Sequence, residues 1–347
     1  MAAAASAVTA YRHILRRRAG LIALLLAAIF IALLADFTTG PSALSWSELW
    51  RALSAPAAAD PSTRVIVWDI RLPQALMAAL VGAALGLAGA EMQTILNNPL
   101  ASPFTLGVSS AAAFGASLAI VLNLGLPGVP AGWLIAGNAF LFAALAALAL
   151  DAAARWAGMN TQGVVLFGIA MVFSFNALVS LVQFVASAEA LQNLVFWTMG
   201  SLSRSSWASA GALAMAVALA LPLALRQSWK LTALRLGEER AASFGVDVRR
   251  VRVAALARVS LLSALSVAFV GTIGFIGLVA PHPAPRWRGG TLPYAVPGGP
   301  RRGAPPLAPA SRAPKTRMPG GTTPAGTVPP RAGTPFFVWV VMRRRLP

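Results

Sequence analysis

The sequence contains no cysteine, which excludes disulfides, thiolate metal centres and cysteine nucleophiles. Histidine is almost absent as well: His13 and His282 stand far apart, and no HExxH run occurs. No metal site, cofactor site or catalytic constellation is therefore expected. No G-x-x-x-x-G-K-[ST] loop is present, so any nucleotide would have to be bound by another chain. Charge is scarce: 11% of the 347 residues are charged, against about 25% in ordinary soluble domains. What fills the space is apolar, with 57% hydrophobic residues and a mean hydropathy of +0.71. That composition is that of a membrane protein.

The net charge of +18 is unevenly distributed. All ten acidic residues lie between Asp36 and Asp247, and 17 of the 28 basic residues precede His282, so residues 1–282 carry only +7. The remaining 65 residues carry +11, no acid, and 15 of the 25 prolines. A modestly basic membrane protein is thus followed by a chemically different tail.

Crossing a bilayer core of about 30 Å at 1.5 Å per residue takes about 20 apolar residues. Runs of that kind occupy Ala19–Phe37, Leu72–Ile95, Leu106–Leu124, Trp133–Ala154, Val164–Ala186, Trp207–Leu225 and Val253–Val270, and a short apolar stretch, Ile273–Ala280, follows. The first run has no small-residue cleavage site after it, so it reads as a retained transmembrane helix rather than a signal peptide. Arg12, Arg16, Arg17 and Arg18 place the N-terminus in the cytoplasm, by the excess of basic residues on that side. The loops at 155–161 and 226–252 are then cytoplasmic, the second being the most basic of all. Residues 38–69 and 187–206 face outward. Trp46–Leu53, with Ser45 or Ser47 as cap, reads as a short interfacial helix on the outer side. Fold class is therefore all-α: a polytopic transmembrane bundle, N-terminus cytoplasmic, with seven to eight helices readable.

Four stretches say more than hydropathy does: RLPQALMAALVGAALGLAGAEMQTILNNPLASPFTLGVSSAAAFGA (71–116), FWTMGSLSRSSW (196–207), LGEERAASFGVDVRRVR (236–252) and GTIGFIGLVAPH (271–282). In Asn97-Asn98-Pro99 to Pro103, the two prolines end one helix and hold the chain extended before the next. Asn97 and Asn98 can satisfy the freed backbone groups. Gly237 and Gly245 bracket about two helical turns inside a basic loop, which by itself reads as a solvated charged segment. Glu91 is ionisable within a span, yet stands about a turn from its cytoplasmic end, where charge is cheap. It is read as bland.

In order and spacing, these four stretches resemble the permease subunits of binding-protein-dependent ABC importers for ferric siderophores, haem and cobalamin, the FecCD family. The resemblance implies about ten helices and no bond chemistry in this chain. It implies that loop 226–252 forms the coupling helices seated in the ATPase, with Gly237, Glu238, Ala241 and Gly245 matching the family pattern. Arg71 matches a position that docks the binding protein, while Gln74 stands where a second arginine is common. Asn160, Thr161 and Gln162 fall where the family has its cytoplasmic gate; helix capping accounts for them equally well. Implied partners are an ABC ATPase dimer, a substrate-binding protein, a second copy of the permease or a close paralogue, and the lipid bilayer of a bacterial inner membrane, with no nucleic acid. The cargo would be a ferric siderophore, or haem or cobalamin. An ion-coupled secondary transporter is the alternative from another class, and it needs buried charge near mid-membrane, which only Glu91 approaches.

Residues 1–282 are read as the permease domain. Residues 283–334 are rich in Pro, Arg and Gly and match nothing in such a permease, while GTPFFVWVVMRRR (333–345) again looks like its last helix and basic end, so 335–347 reads as a remnant of them. The 52 residues between His282 and Pro335 are close to the number the missing membrane segment would occupy. Matching ends, matching length and foreign chemistry point to two compensating frameshifts, which would make a transport-inactive product. A disordered basic tail binding nucleic acid or anionic lipid is the rival reading.

Overall fold

The computed structural model describes residues 44–123, 125–156, 161–274 and 276–279, together with Ala27 and Ile31, two helical positions within the expected first span. The rest of that span, Asn160, and everything from Ala280 onward, including the 283–334 and 335–347 segments, lie outside the described residues. Among the described residues there is helix and turn and no strand.

Helix α1 (Trp46–Ser54) begins where expected, and Ser45 is its cap. The Ser45 Oγ accepts the Glu48 N–H at 3.3 Å, and the Glu48 carboxylate accepts the Ser45 N–H at 2.7 Å, a reciprocal capping box. Leu49 and Ala52 face inward, while Trp46 and Trp50 stand 66% and 72% exposed. Asp60 caps α2 (Pro61–Val65), with proline at its first position, where no N–H is needed. The chain then runs through a π-helical turn (Ile66–Arg71) into α3 (Leu72–Ile95). Pro73 has no N–H to give, and the Leu72 N–H reaches back five residues to the Val67 carbonyl. Thus the expected span Leu72–Ile95 is the inner part of a continuous 35-residue helix, Pro61–Ile95.

Helix α3 is the buried axis of the bundle, with residues from Pro73 to Ile95 largely enclosed. Small residues allow its neighbours to come close. A Cβ on Gly89 would lie 1.8 Å from the Gly277 carbonyl oxygen, so backbone touches backbone there. Helix α4 (Val108–Val121) starts after Gly107 and packs on α5 (Ala131–Trp156), where a Cβ on Gly115 would sit 2.4 Å from the Asn138 carbonyl. At 14 residues α4 is about 21 Å long, short of the bilayer core. The expected span Leu106–Leu124 overestimated it because Leu122 closes the helix and Asn123 turns at φ +47.

There follow α6 (Thr161–Phe184), the lateral α7 (Ala188–Thr198), a 3-10 turn (Leu202–Arg204), α8 (Trp207–Arg226), two short helices α9 (Ser228–Leu234) and α10 (Glu238–Ser243), α11 (Val248–Val270) and the one-turn α12 (Ile276–Val279). Among the described residues, five helices are long and apolar enough to cross a membrane: 61–95, 131–153, 162–184, 207–226 and 248–270.

Side-chain contacts fix which ends lie together. Trp207, at the start of α8, donates its indole N–H to the Trp68 carbonyl at 2.8 Å, so α8 and α3 run parallel. Val270, which ends α11, accepts the Ser201 N–H just before α8, while Arg258, midway along α11, meets Glu91, late in α3, so α11 runs the other way. One end of the bundle therefore gathers α1, α7, the starts of α3, α5 and α8 and the finish of α11. It holds Trp46, Trp50, Trp68, Trp133, Trp197 and Trp207, and is called the tryptophan end. The opposite, arginine end gathers α9, α10, the Asn97-Asn98 turn and the start of α11.

Candidate functional site

The arginine end is built from turns that only particular residues allow. Helix α9 packs Leu231 and Leu234 into the core against α3 and α11. It ends at Leu234, and the turn that follows leads to Gly237, whose φ of +109 and ψ of 153 belong to a region open essentially to glycine alone. Six residues of α10 follow, with Ala241 buried and Glu238, Glu239 and Arg240 facing out. Gly245 then takes φ +78, while the Val246 N–H bonds the Ala241 carbonyl and the Gly245 N–H bonds that of Ala242. This is the Schellman pattern that needs glycine just past a helix. The Asp247 carboxylate caps α11 through the Arg250 N–H at 2.9 Å, and Arg252 pairs with Glu238 across the loop. The four residues singled out from sequence, Gly237, Glu238, Ala241 and Gly245, thus form one compact helical hook, each with a separate structural task.

Beside it, α3 ends in the Asn97-Asn98 turn. Asn97 adopts φ +41, which asparagine tolerates better than most residues. The Asn98 side-chain oxygen accepts the Leu100 N–H at 2.9 Å, the backbone role expected of it. Both asparagines, together with Gln162, Val165, Leu166 and Ile169 of α6, line a hollow of about 550 Å3. Gln162 is exposed at its rim. Thr161 opens α6, and Asn160 lies outside the described residues. The structure therefore joins the start of α6 to the Asn-Asn-Pro turn, two features the sequence reading had kept apart.

At the tryptophan end, the second and fourth sequence motifs lock together. The Ser201 N–H bonds the Val270 carbonyl at 2.7 Å, the Thr272 hydroxyl donates to the Thr198 carbonyl, and Arg204 Nη2 donates to the Trp197 and Val270 carbonyls at 3.2 and 3.0 Å. Gly271 is required there, since a Cβ would lie 2.3 Å from the Trp197 carbonyl oxygen. The recess holding the Arg204 guanidinium lowers its pKa to about 10, still charged at neutral pH. A cavity of about 600 Å3 opens beside it, lined by Asn123, Trp133, Asn193, Phe196 and Trp197 among others. Arg71 is only 4% exposed within the π-helical turn, whereas Arg51 and Arg64 at the same end stand open. The sequence reading had not singled out those two.

Glu91 does not behave as its position near a helix end predicts. It is fully buried (0% exposed) and bonded by Arg258, whose side chain is 7% exposed. Arg258 Nε lies 3.0 and 3.1 Å from the two carboxylate oxygens, and Nη2 lies 2.7 Å from Oε1. Nη2 also donates to the Gln227 side-chain oxygen at 3.1 Å. The expectation that charge is cheap at this position is thereby corrected: the helix end is covered by α9 and α11, so the buried carboxylate needs a cation. Arg258 was counted only as a charge in the sequence. An arginine eleven residues into a helix whose later residues carry no charge was the available signal.

The described residues thus form a helical bundle of membrane-protein type, with five helices of membrane length, a polar hook at one end and a hollow at each end. Comparison with known proteins agrees: residues 24–343 match the FecCD transport family, and the chain belongs to it. It is 32% identical to the hemin transport system permease protein HmuU of Yersinia pestis over 325 residues, covering 92% of this chain and 95% of that one. It is 34% identical to the vitamin B12 import system permease protein BtuC of Vibrio cholerae over 297 residues, covering 85% and 88%. Among solved structures, an inward-facing conformation of a metal-chelate type ABC transporter superposes with a TM-score of 0.81 at 27% identity, over 93% of this chain and 99% of that one.

Proposed function

We propose that this chain is the membrane-spanning subunit of an ATP-driven importer in a bacterial inner membrane, with its arginine end in the cytoplasm. Two copies, or one copy and a close paralogue, would enclose the pathway, with an ABC ATPase dimer below and a substrate-binding protein above. The observation that carries this is the α9–α10 hook: a short, rigid, charged-faced helix pair fixed by Gly237 and Gly245 on an otherwise apolar bundle. Such a hook gives a motor subunit something to push. The hollow between the Asn97-Asn98 turn and Gln162 is assigned as the cytoplasmic gate, with Asn160 and Thr161 beside it in sequence. Docking of the binding protein is assigned to the surface around the buried Arg71, where its exposed neighbours Arg51 and Arg64 would supply rim charges acting chiefly on association rate and salt dependence. The cargo is a ferric siderophore, or haem or cobalamin, consistent with what relatives are named for.

Uptake into vesicles carrying the chain, its ATPase and its binding protein, with and without ATP, is the test. ATP-dependent accumulation of a ferric siderophore is expected; uptake driven by an ion gradient without ATP would instead establish a secondary transporter. A second reading concerns residues 283–334, which we take to be a compensated frameshift between a permease domain (1–282) and a remnant of its last helix (335–347). It rests on the foreign chemistry of that segment between two ends that read as permease. Backbone in lipid must be satisfied internally, which 15 prolines after His282 prevent. Absence of uptake under both conditions, together with apolar spans in another reading frame of the resequenced gene, would support it. If no other frame encodes such spans, it fails.

A further inference from the structure

The buried pair Glu91–Arg258 sits where three elements meet, and its third member is a hinge. Gln227 is the single residue between α8 and α9, with φ −92 and ψ 1. Its N–H closes α8 on the Leu223 carbonyl at 3.2 Å, and its carbonyl opens α9 by accepting the Leu231 N–H at 2.9 Å. Its side-chain oxygen is held by Arg258 Nη2. Because arginine has no acceptor, this contact fixes the amide oxygen toward the guanidinium. The same turn of α3 that carries Glu91 is tied on another side to α12: Gly89 abuts Gly277, and Gln93 Nε2 donates to the Leu278 carbonyl at 3.0 Å. A continuous chain of contacts therefore runs from the hinge at Gln227, through Arg258 and Glu91, across α3, to α12.

A buried ion pair is a poor way to gain stability, since desolvation offsets its attraction and apolar replacements of both partners are often neutral or better. What a bidentate guanidinium–carboxylate contact does supply is direction. We propose that Arg258 is a positioning residue for coupling: it clamps the hinge of the α9–α10 hook to Glu91, so that displacement of the hook moves α3 and α11 as one unit. The assignment of the hook as the ATPase contact rests on the function proposed above; the clamp itself does not.

The absence of native cysteine makes the clamp measurable in the chain alone, in nanodiscs. Spin labels on Ala242→Cys, exposed on α10, and Leu100→Cys, exposed beyond the end of α3, report the distance between hook and core. Labelled chain diluted with an excess of unlabelled chain, so that a pair of copies carries labels on one copy only, is expected to give one narrow distance. Gln227→Leu leaves the buried ion pair whole and cuts only the hinge contact, and it is expected to lose that single distance while the protein stays monodisperse. Gln227→Glu, which keeps an acceptor oxygen there, is expected to restore it. The apolar double variant Glu91→Met/Arg258→Met is expected to behave as Gln227→Leu does. An unchanged distance in Gln227→Leu overturns the proposal, and that variant decides even where the double one fails to fold. Because the readout requires neither ATPase nor cargo, failure of the clamp and failure of the importer reading are seen separately.

Discussion

At the tryptophan end, the bonds that join separate elements end on uncharged acceptors. The indole of Trp207 reaches the Trp68 carbonyl, that of Trp68 reaches the Ala52 carbonyl at 2.9 Å, and Arg204 serves the two carbonyls that end α7 and α11. At the arginine end, charge-to-charge joins, Arg258 to Glu91 inside and Arg252 to Glu238 outside, stand beside joins to the uncharged oxygens of Gln227 and Leu278. Residues 44–71 hold three acidic and three basic groups, while 226–252 hold three acidic and seven basic ones. Neutral joins hold one geometry under most conditions. Ionic joins give direction and strength only while both partners are in place, so they suit the end that has to respond to a partner.

The largest test of that contrast is removal of one buried charge. Arg258→Met leaves the Glu91 carboxylate enclosed with no cation, at a cost of about 3–5 kcal/mol. The detergent-solubilised variant should melt well below the parent, and Glu91→Met added to it should recover most of the loss. Deleting any one neutral hydrogen bond at the tryptophan end should not approach that cost. If Arg258→Met melts with the parent, the charged interior is not what holds the arginine end together.

Next come the glycines. A Cβ on Gly237 meets nothing within 4 Å, so Gly237→Ala tests backbone conformation alone. Its φ of +109 should cost about 1–3 kcal/mol. Gly128, between α4 and α5 at the tryptophan end, has φ +81 with equally open surroundings. There an alanine should cost only about 1–2 kcal/mol, the ordinary left-handed penalty. Hydrogen exchange of the α10 amides reads the first change and of the start of α5 the second. Equal effects would remove the special status of the hook. Smaller again is Trp207→Phe, which deletes one neutral hydrogen bond worth about 1 kcal/mol and should leave α10 exchange untouched.

Much of this was legible in the sequence. Hydropathy placed the ends of most described spans to within about five residues, but it missed the first eleven residues of the helix Pro61–Ile95, which are too polar to read as a span. Ser45 or Ser47 announced the start of α1, and Gly237 and Gly245 the ends of α10, because caps are local chemistry. What was not legible depends on residues distant in the chain. Glu91 and Arg258 are 167 positions apart, and nothing near either predicts that α9 folds over the first and seals it from water. The burial of Arg71 and the exposure of Arg51 and Arg64 depend likewise on how α1 lies against the π-helical turn. The Asn97-Asn98 turn and Gln162 become one hollow only when α3 and α6 are placed side by side.

The smallest effect distinguishes the ends most cleanly, because it changes no residue. The Glu238–Arg252 pair lies partly in solvent, with side chains 56% and 19% exposed, and such pairs contribute only about 0.2–1 kcal/mol. Raising ionic strength from about 0.1 M to about 1 M shrinks the screening length from about 10 Å to about 3 Å, which weakens exposed ion pairs and leaves neutral hydrogen bonds alone. Amide exchange in α10 should therefore accelerate modestly in high salt. Exchange at Trp68 and in α8 near Trp207 should not. The α1 capping box is the internal control: hydrogen bonds to Ser45 hold the Glu48 carboxyl below its usual pKa, so the box is complete at neutral pH and depends on short local contacts rather than on a distant cation. Stability from a depressed carboxyl is present above its ordinary pKa and lost as pH falls through the lower folded value. Acid should thus loosen α1 at a pH where salt does nothing to it. Salt sensitivity appearing in α1 and missing from α10 would reverse the assignment of ionic and neutral ends.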